Sequence, residues 1–439
     1  MKRAPVFLLI LLIPLCSRAQ QSGEWTLERC IEHALEMNIN LKMQRNLEKK
    51  AVYDRRQSQW ETAPTVNGWS SSNFDFRRST NQNNEISSGS TYNMNLGVNS
   101  SVNLFAGFTN LNTIAANRFN ELASAEATKL ATNTLIMQII EQFAQVIYQK
   151  SLVSVAREQL EVSLHESERI AATIDAGQLE AVALSEISAT VSGNRLLLSR
   201  AENDYRMSRL RLSQLIEIPQ NTPFEISAGD LEMQFPKETG LTVDSVYRAA
   251  CLNYPSVMQR EFELDYYRKL LAVSKGYLAP SLSFSGGYSS GFYSTDTLPS
   301  GKPTPMTTQF KNLLNPSLGL SLNIPVLNGR RRDFQVKKSK IDVENAIFNL
   351  EYQKKLIRQE IEQAVLRLGA LDLEFRNATD NLVFTEKSFE SYREKYRLGL
   401  INTTDFMNAQ TQLLLAKSNL LQARYGWIAQ EKTIQLFIK

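Results

Sequence analysis

The chain states one plan twice, and that duplication restricts its fold more than any other feature. "TLERCIEHALEMNINL" (26–41) lies over "TVDSVYRAACLNYPSV" (242–257) at an offset of 216 residues, and the same offset takes Ala63-Pro64-Thr65-Val66 onto Ala279-Pro280-Ser281-Leu282. Leu104-Phe105-Ala106-Gly107 falls on Val326-Leu327-Asn328-Gly329 at an offset of 222, which also carries Gly177 onto Gly399. Each copy reads as a helix, two strands, a very long helix and a shorter helix. A length prior alone would give about three domains. The repeat instead divides the chain into a leader (1–19), a first copy (20–217), a linker (218–240) and a second copy (241–439).

The strands alternate with period two. Tyr92, Met94, Leu96, Val98, Val102 and Leu104 stand against Thr91, Asn93, Asn95, Asn99, Ser101 and Asn103. Leu318, Leu320, Leu322, Ile324 and Val326 against Ser317, Gly319, Ser321 and Asn323 repeat the pattern. So do Leu282, Phe284, Tyr288 and Phe292 against Ser281, Ser283, Ser285 and Ser289, with Val66, Phe74 and Phe76 a weaker instance. A soluble sandwich would pack such apolar faces together. Here the hairpins are isolated between helices and their polar face is Ser, Asn, Thr and Gly, which suits a water-filled lumen with strands of membrane length. Four strands do not close a barrel, for which about eight is the minimum, so several chains must contribute to one. The segments 77–90 and 294–312 read as polar exposed loops. Trp69, Phe74, Phe76, Tyr92, Phe292 and Tyr293 suit an interfacial aromatic girdle, or ordinary packing.

Ile357, Ile361, Ala364, Leu368, Leu371, Phe375, Ala378 and Leu382, followed by Phe389, Tyr392 and Tyr396, recur at alternating steps of four and three broken only at Thr385, the seam of a coiled coil. Leu135, Ile139, Val146, Val153, Ala156, Leu160, Ile170 and Ile174 match it in the first copy. A run from Gly107 to Thr173 spans roughly 100 Å as helix, the length of a rod crossing a compartment rather than of a globular core. Residues 218–240, rich in Pro, Gly and polar side chains, read as a linker with one short strand at Phe224–Ile226.

At the N-terminus, Lys2-Arg3, the apolar run Val6–Leu15 and Ser17-Arg18-Ala19 form a secretory signal, so the mature chain is expected to begin at Gln20. Cys16 follows Ile13-Pro14-Leu15 rather than the small residue a lipid-attachment cysteine generally follows, which argues against lipidation. No later run approaches the roughly 20 apolar residues of a membrane helix, so any span is made of strands. Removing the signal takes Lys2, Arg3 and Arg18 from 49 basic residues against 45 acidic ones, a near balance that gives no sign of a nucleic-acid partner. Cys30 and Cys251 form neither a disulfide framework nor a metal pattern, and His33 and His165 read as helix-surface residues rather than ligands. Gly286-Gly287 falls within a strand, so no phosphate loop appears. No catalytic residue, cofactor or metal is expected.

On these residues the chain resembles the TolC family of outer-membrane efflux and secretion channels over its whole mature length. The paired openings, "APTV" and "APSL", the "LFAGF" and "VLNGR" junctions and above all "YRLGLINTTDFMNAQTQLLLA" (396–416) carry the resemblance. It implies an α+β membrane protein, a homotrimer whose twelve strands form one outer-membrane β-barrel in the lipid, continued by a periplasmic α-barrel of coiled-coil helices. It also implies a passive exit duct that docks to a periplasmic adaptor and an inner-membrane pump. The tip positions that would meet the adaptor are Asp175, Ala176, Gly177 and Gln178 in the first copy and Leu398, Gly399 and Leu400 in the second. Tyr396, Asp405 and Asn408 match the family's pore gate, although the acidic position at 408 is Asn here and a basic position is Ile401.

Independently of the family, Gly399 ends a helix by taking a left-handed conformation cheaply. Asn402, Thr403 or Thr404 then caps the next helix, and Asp405 in its first turn complements the helix dipole. Asp405 is therefore either a helix-start carboxylate or a pore ring. A periplasmic coiled-coil adaptor is the competing function, since it shares the signal and the helical hairpins but not two copies of hairpin and strand pair.

Overall fold

A computed structural model describes residues 24–80, 86–177, 181–219, 222–227, 229, 240, 242–295 and 302–438. The signal segment with Cys16, and Gln178, lie outside the described residues. In chain order the elements are α1 (Leu27–Met37), α2 (Ile39–Trp60), β1 (Thr65–Thr80), β2 (Ile86–Ala106), α3 (Thr109–Asp175), α4 (Ala181–Leu215), α5 (Val243–Asn253), α6 (Pro255–Gly276), β3 (Ser281–Tyr293), α7 (Met306–Asn312), β4 (Asn315–Asn323), α8 (Arg331–Arg397) and α9 (Thr403–Ile438). Lengths match across the halves: 11 and 22 residues for α1 and α2 as for α5 and α6, and 67 residues for both α3 and α8.

The opening helix of each half is divided in two, where the sequence reads as one. Asn38 stands at φ −58°, ψ 124°, its Oδ1 accepts from the Leu41 N–H at 3.0 Å, and its Nδ2 donates to the Leu215 carbonyl at 3.1 Å. That side chain caps α2 while tying it to the end of α4. In the second half the break falls at Tyr254, whose extended ψ of 128° is what a following proline imposes.

The long helices form a layer. α3 runs beside α2 and α6 near the sheet, where Arg55 pairs with Glu121, and beside α4 and α9 further away, where Gln142 donates to the Ser208 carbonyl at 3.0 Å. α8 packs on α6, α5 and α9. The coiled-coil seam largely follows the spacing: Ile357, Ile361, Ala364, Leu368 and Tyr396 are buried and Leu371, Phe375, Ala378, Leu382, Thr385 and Phe389 half-buried, while Tyr392 is exposed. In α3, Leu135, Ile139, Val146, Ala156 and Ile170 are buried.

The central core joins these seams to α1, α5 and the end of α9, and includes Ile216, Ile218, Phe224 and Ile226. The supposed linker is thus partly core. Instead of a three-residue strand it makes one parallel bridge, with the Trp25 N–H donating to the Glu225 carbonyl at 2.7 Å and the Ser227 N–H to the Trp25 carbonyl at 3.2 Å. His33 belongs to the same corner, its ring edge-on to Trp25 at 5.3 Å, and is half-buried rather than on the surface; burial lowers its pKa. His165 is exposed.

β1 to β4 make one antiparallel sheet in the order β1-β2-β3-β4. Directly opposed residues share a face. One face therefore gathers Val98 opposite Tyr288, Phe284 opposite Leu320 and Leu282 opposite Leu322, and the other Asn99 opposite Gly287, Ser101 opposite Ser285 and Ser283 opposite Ser321. Both faces are open: every residue of β4 is exposed, and Leu318 on the apolar face is 81% exposed. Phe74, Tyr92 and Phe292 form a row across three strands on that face, with ring centroids 4.5 and 5.9 Å apart. Trp69 and Tyr293 do not join them. Trp69 is opposite Gly97 and Tyr293 opposite Asn93, on the polar face.

Three further differences concern the strand ends. The ladder of β1 and β2 continues to Thr80 opposite Ile86, through most of the expected loop 77–90, because backbone pairing in an antiparallel ribbon proceeds whatever the side chains are. β4 stops at Asn323, short of Ile324 and Val326, because Pro325 has no N–H to give the ladder. The region 294–312 contains α7, held by the buried Gln309: its Oε1 accepts from the Tyr293 N–H at 2.8 Å and its Nε2 donates to the Tyr293 and Thr304 carbonyls at 3.1 and 3.0 Å. One side-chain amide replaces the strand partner β3 loses beyond the end of β4.

Candidate functional site

The tip of the second half is built by its backbone. At the end of α8, Gly399 has φ +71°, its N–H donates to the Tyr396 carbonyl at 3.0 Å, and the Leu400 N–H reaches back to the Lys395 carbonyl at 2.8 Å. That bond pair is the Schellman closure of a helix. Asn402 is the residue that caps α9: its Oδ1 accepts from the Asp405 N–H at 2.7 Å. Asp405 is the third residue of α9, exposed, in the position a helix-start carboxylate occupies. At the first tip, Gly177 has φ +73° and donates to the Ile174 carbonyl at 2.8 Å. A Cβ at either glycine would meet nothing within 4 Å, so conformation and not space demands glycine there. Asp175, Ala176, Leu398 and Leu400 are exposed.

Tyr396 points elsewhere. It is 8% exposed, its ring lies parallel to Phe406 at 4.6 Å and 4°, and its hydroxyl donates to Glu166 Oε1 at 2.6 Å, also meeting Thr403 Oγ1 at 3.3 Å. Arg169 donates two hydrogen bonds to Glu166 Oε1 and stands 4.9 Å over the Tyr396 ring. Burial, then the Glu166 carboxylate, raises the Tyr396 pKa, and the bond to Glu166 raises that of Arg169, so phenol and cation are both kept protonated. This ties the α8–α9 tip to α3. Further from the tip, Lys417 Nζ meets Glu158 at 2.9 Å between the same elements. Asp405 and Asn408, three apart on α9, stay exposed and share a face.

Sequence reasoning missed Glu166, Arg169 and Phe406. The signal for the first two was the i, i+3 acid–base pair on α3 eleven positions before Gly177. Tyr396→Phe removes one charge-assisted hydrogen bond and leaves Glu166 with Arg169. The expected cost is about 1.5–3 kcal/mol of local stability, read as faster amide exchange in 396–406 with no change around Ile361; unchanged exchange would contradict a tie through the hydroxyl.

Comparison with known proteins is consistent with this architecture. The family model "Outer membrane efflux protein" matches residues 30–216 and 246–438. The chain belongs to the outer membrane efflux protein family, that of TolC. Among its relatives, "Outer membrane efflux protein BepC" of Brucella suis biovar 1 (strain 1330) is 21% identical over 331 residues, 75% of this chain and 68% of BepC. "Outer membrane protein TolC" of Escherichia coli (strain K12) is 24% identical over 228 residues, 51% of this chain and 45% of TolC. Among solved structures, CusC, described for its transmembrane channel formation, superposes with a TM-score of 0.80 at 17% identity, covering 96% of this chain and 95% of that one. This TolC-family protein is therefore an outer-membrane efflux protein that extends into the periplasm, and its fold is that of the family's channels: mostly helical, with a small sheet.

Proposed function

We propose that three copies of this chain form the exit duct of a tripartite efflux or type I secretion system. The observation that carries this is the open sheet. It is apolar on one exposed face, Ser, Asn and Gly on the other, without strand partners at β1 and β4 among the described residues, and continuous with two 67-residue helices. Free edges and an exposed apolar face are costly in water and are removed together by closing twelve strands within lipid. Pairing β4 of one copy with β1 of the next closes the ring, and the flanking helices α2, α4 and α8 then close an α-barrel below it.

In this reading the two sequence copies are structural duplicates joined through residues 218–240. Substrate enters from a periplasmic adaptor and an inner-membrane pump that meet the tips at Gly177 and Gly399, and the duct itself is passive. Fractionated membranes are expected to hold the protein in the outer membrane as a trimer that survives an unheated gel and dissociates on boiling. A soluble or inner-membrane monomer would sink the duct and favour the adaptor.

Asp405 and Asn408, exposed on one face of α9, are assigned to the inner mouth. Three carboxylates around one axis favour cations. Asp405→Ala is expected to lower cation preference and weaken divalent block roughly fivefold, the scale of about 1 kcal/mol for one close charge pair in water. Unchanged selectivity in planar bilayers would leave Asp405 with only its helix-start role.

A further inference from the structure

From the two aromatic residues that stand on the wrong face of the sheet for a lipid girdle, we infer that Trp69 and Tyr293 form a collar inside the β-barrel that stacks planar aromatic cations on their way out. The inference rests on the duct reading above. The row containing Trp69 runs Trp69, Gly97, Ser289, Asn315 across the four strands, and that of Tyr293 includes Asn73 and Asn93. Every other polar-face residue of β3 is Ser or Gly, and the row of Trp69 is Gly, Ser and Asn, so each ring stands beside small neutral groups.

Both rings lie along the wall. A Cβ at Gly97 would come within 3.1 Å of the Trp69 indole, and one at Gly291 within 3.2 Å of the Tyr293 ring. The glycines leave the space in which each ring lies, as aromatic side chains cover glycines in other sheets. Tyr293 is fixed further by its hydroxyl, which bonds Asn95 Oδ1 at 3.1 Å. Trp69 remains 45% and Tyr293 39% exposed, so part of each ring is open to the lumen. Four residues of strand separate the two rows, roughly 13 Å. Asp75, one row beyond Tyr293 on the same face and bonded by Asn93 Nδ2 at 3.4 Å, adds negative charge nearby.

Side-chain size matters more in a twelve-stranded barrel than in a porin. Eight strands enclose a space that side chains fill, and sixteen or more leave a wide aqueous channel. Three Trp69 and three Tyr293 would therefore be the surfaces a passing solute meets, attracting π systems by stacking and cations by the ring quadrupole. The ligand class that fits all of these together is the planar aromatic cation.

The test is single-channel recording of the full-length protein in planar bilayers with proflavine, a planar aromatic cation, and tetraethylammonium, a cation without a ring. Proflavine is expected to interrupt the wild-type current in resolved events and tetraethylammonium is not. Trp69→Ser should shorten the proflavine events about tenfold, and Trp69→Phe should restore most of their duration. Unchanged proflavine events in Trp69→Ser, or equal block by tetraethylammonium, would overturn the collar while leaving the duct intact. A wild-type protein that opens no pore would overturn the duct and the collar with it. If the serine variant does not assemble, Trp69→Leu, which keeps bulk without a π face, gives the same two outcomes.

Discussion

Leu320→Arg is expected to empty the outer membrane of the proposed trimer, whereas Ser321→Arg, one residue further along β4, is expected to leave that trimer in place. The two positions differ only in face. Leu320 lies opposite Phe284 on the apolar side and Ser321 opposite Ser283 on the polar side. An arginine facing lipid costs about 2–4 kcal/mol at the midplane of a membrane barrel and less toward its ends. Three copies multiply that cost, up to roughly 6–12 kcal/mol at the midplane, comparable to the whole stability of an ordinary domain. A lumen-facing arginine meets water and costs little, although three of them should shift the pore toward anions. The check is the heat-sensitive trimer band in outer-membrane fractions of the two variants. Equal loss in both would mean that the polar face is not a lumen, and the assignment of the sheet would fall.

Gly276→Ala is expected to be severely damaging for a single methyl group. A Cβ there would sit 2.5 Å from the Gly107 carbonyl oxygen and 2.7 Å from Thr109 Cγ2, and one at Gly107 would sit 2.1 Å from the Gly276 carbonyl oxygen. Two backbones touch at this point, the turn from β2 into α3 against the last residue of α6. Neither can step aside as a flexible side chain would, so the penalty should exceed the about 1–3 kcal/mol typical of overpacking. Gly399→Ala is the comparison. Its φ of +71° is strained for alanine but the space is open, which limits the cost to about 1–2 kcal/mol. Trimer dissociation temperatures should fall further for Gly276→Ala than for Gly399→Ala. The reverse order would show that backbone crowding at the junction is relieved by movement elsewhere.

Much of this molecule is legible because its regularities are long. A seam from Ile357 to Phe389 repeats often enough that one break, at Thr385, does not hide it, and Thr385 is itself half-buried in the seam. The strand pattern is legible for the same reason. What escapes is local or tertiary. The break at Asn38 depends on a bond to the Leu215 carbonyl, a partner 177 positions away. The extension of β1 to Thr80 depends on pairing, to which a run of Ser and Asn gives no clue. The tip was legible at Gly399 because φ is a property of one residue. The tie from Tyr396 to Glu166 was not, since it joins residues 230 positions apart whose proximity only the packing of α3 against α9 creates. The face of Trp69 was implicit in its odd number, which sets it apart from Phe74 and Phe76 on the same strand.

The amide of Gln309 has a consequence for how the outer surface varies. Because one side chain closes the last rung of β3, the register of the sheet is set independently of how many residues lie ahead of Thr304. In the proposed duct, a change of length there would leave the strands in place, so the exterior could vary while the bore stays constant. An epitope tag inserted ahead of Thr304 should be displayed on intact cells by a duct that still assembles.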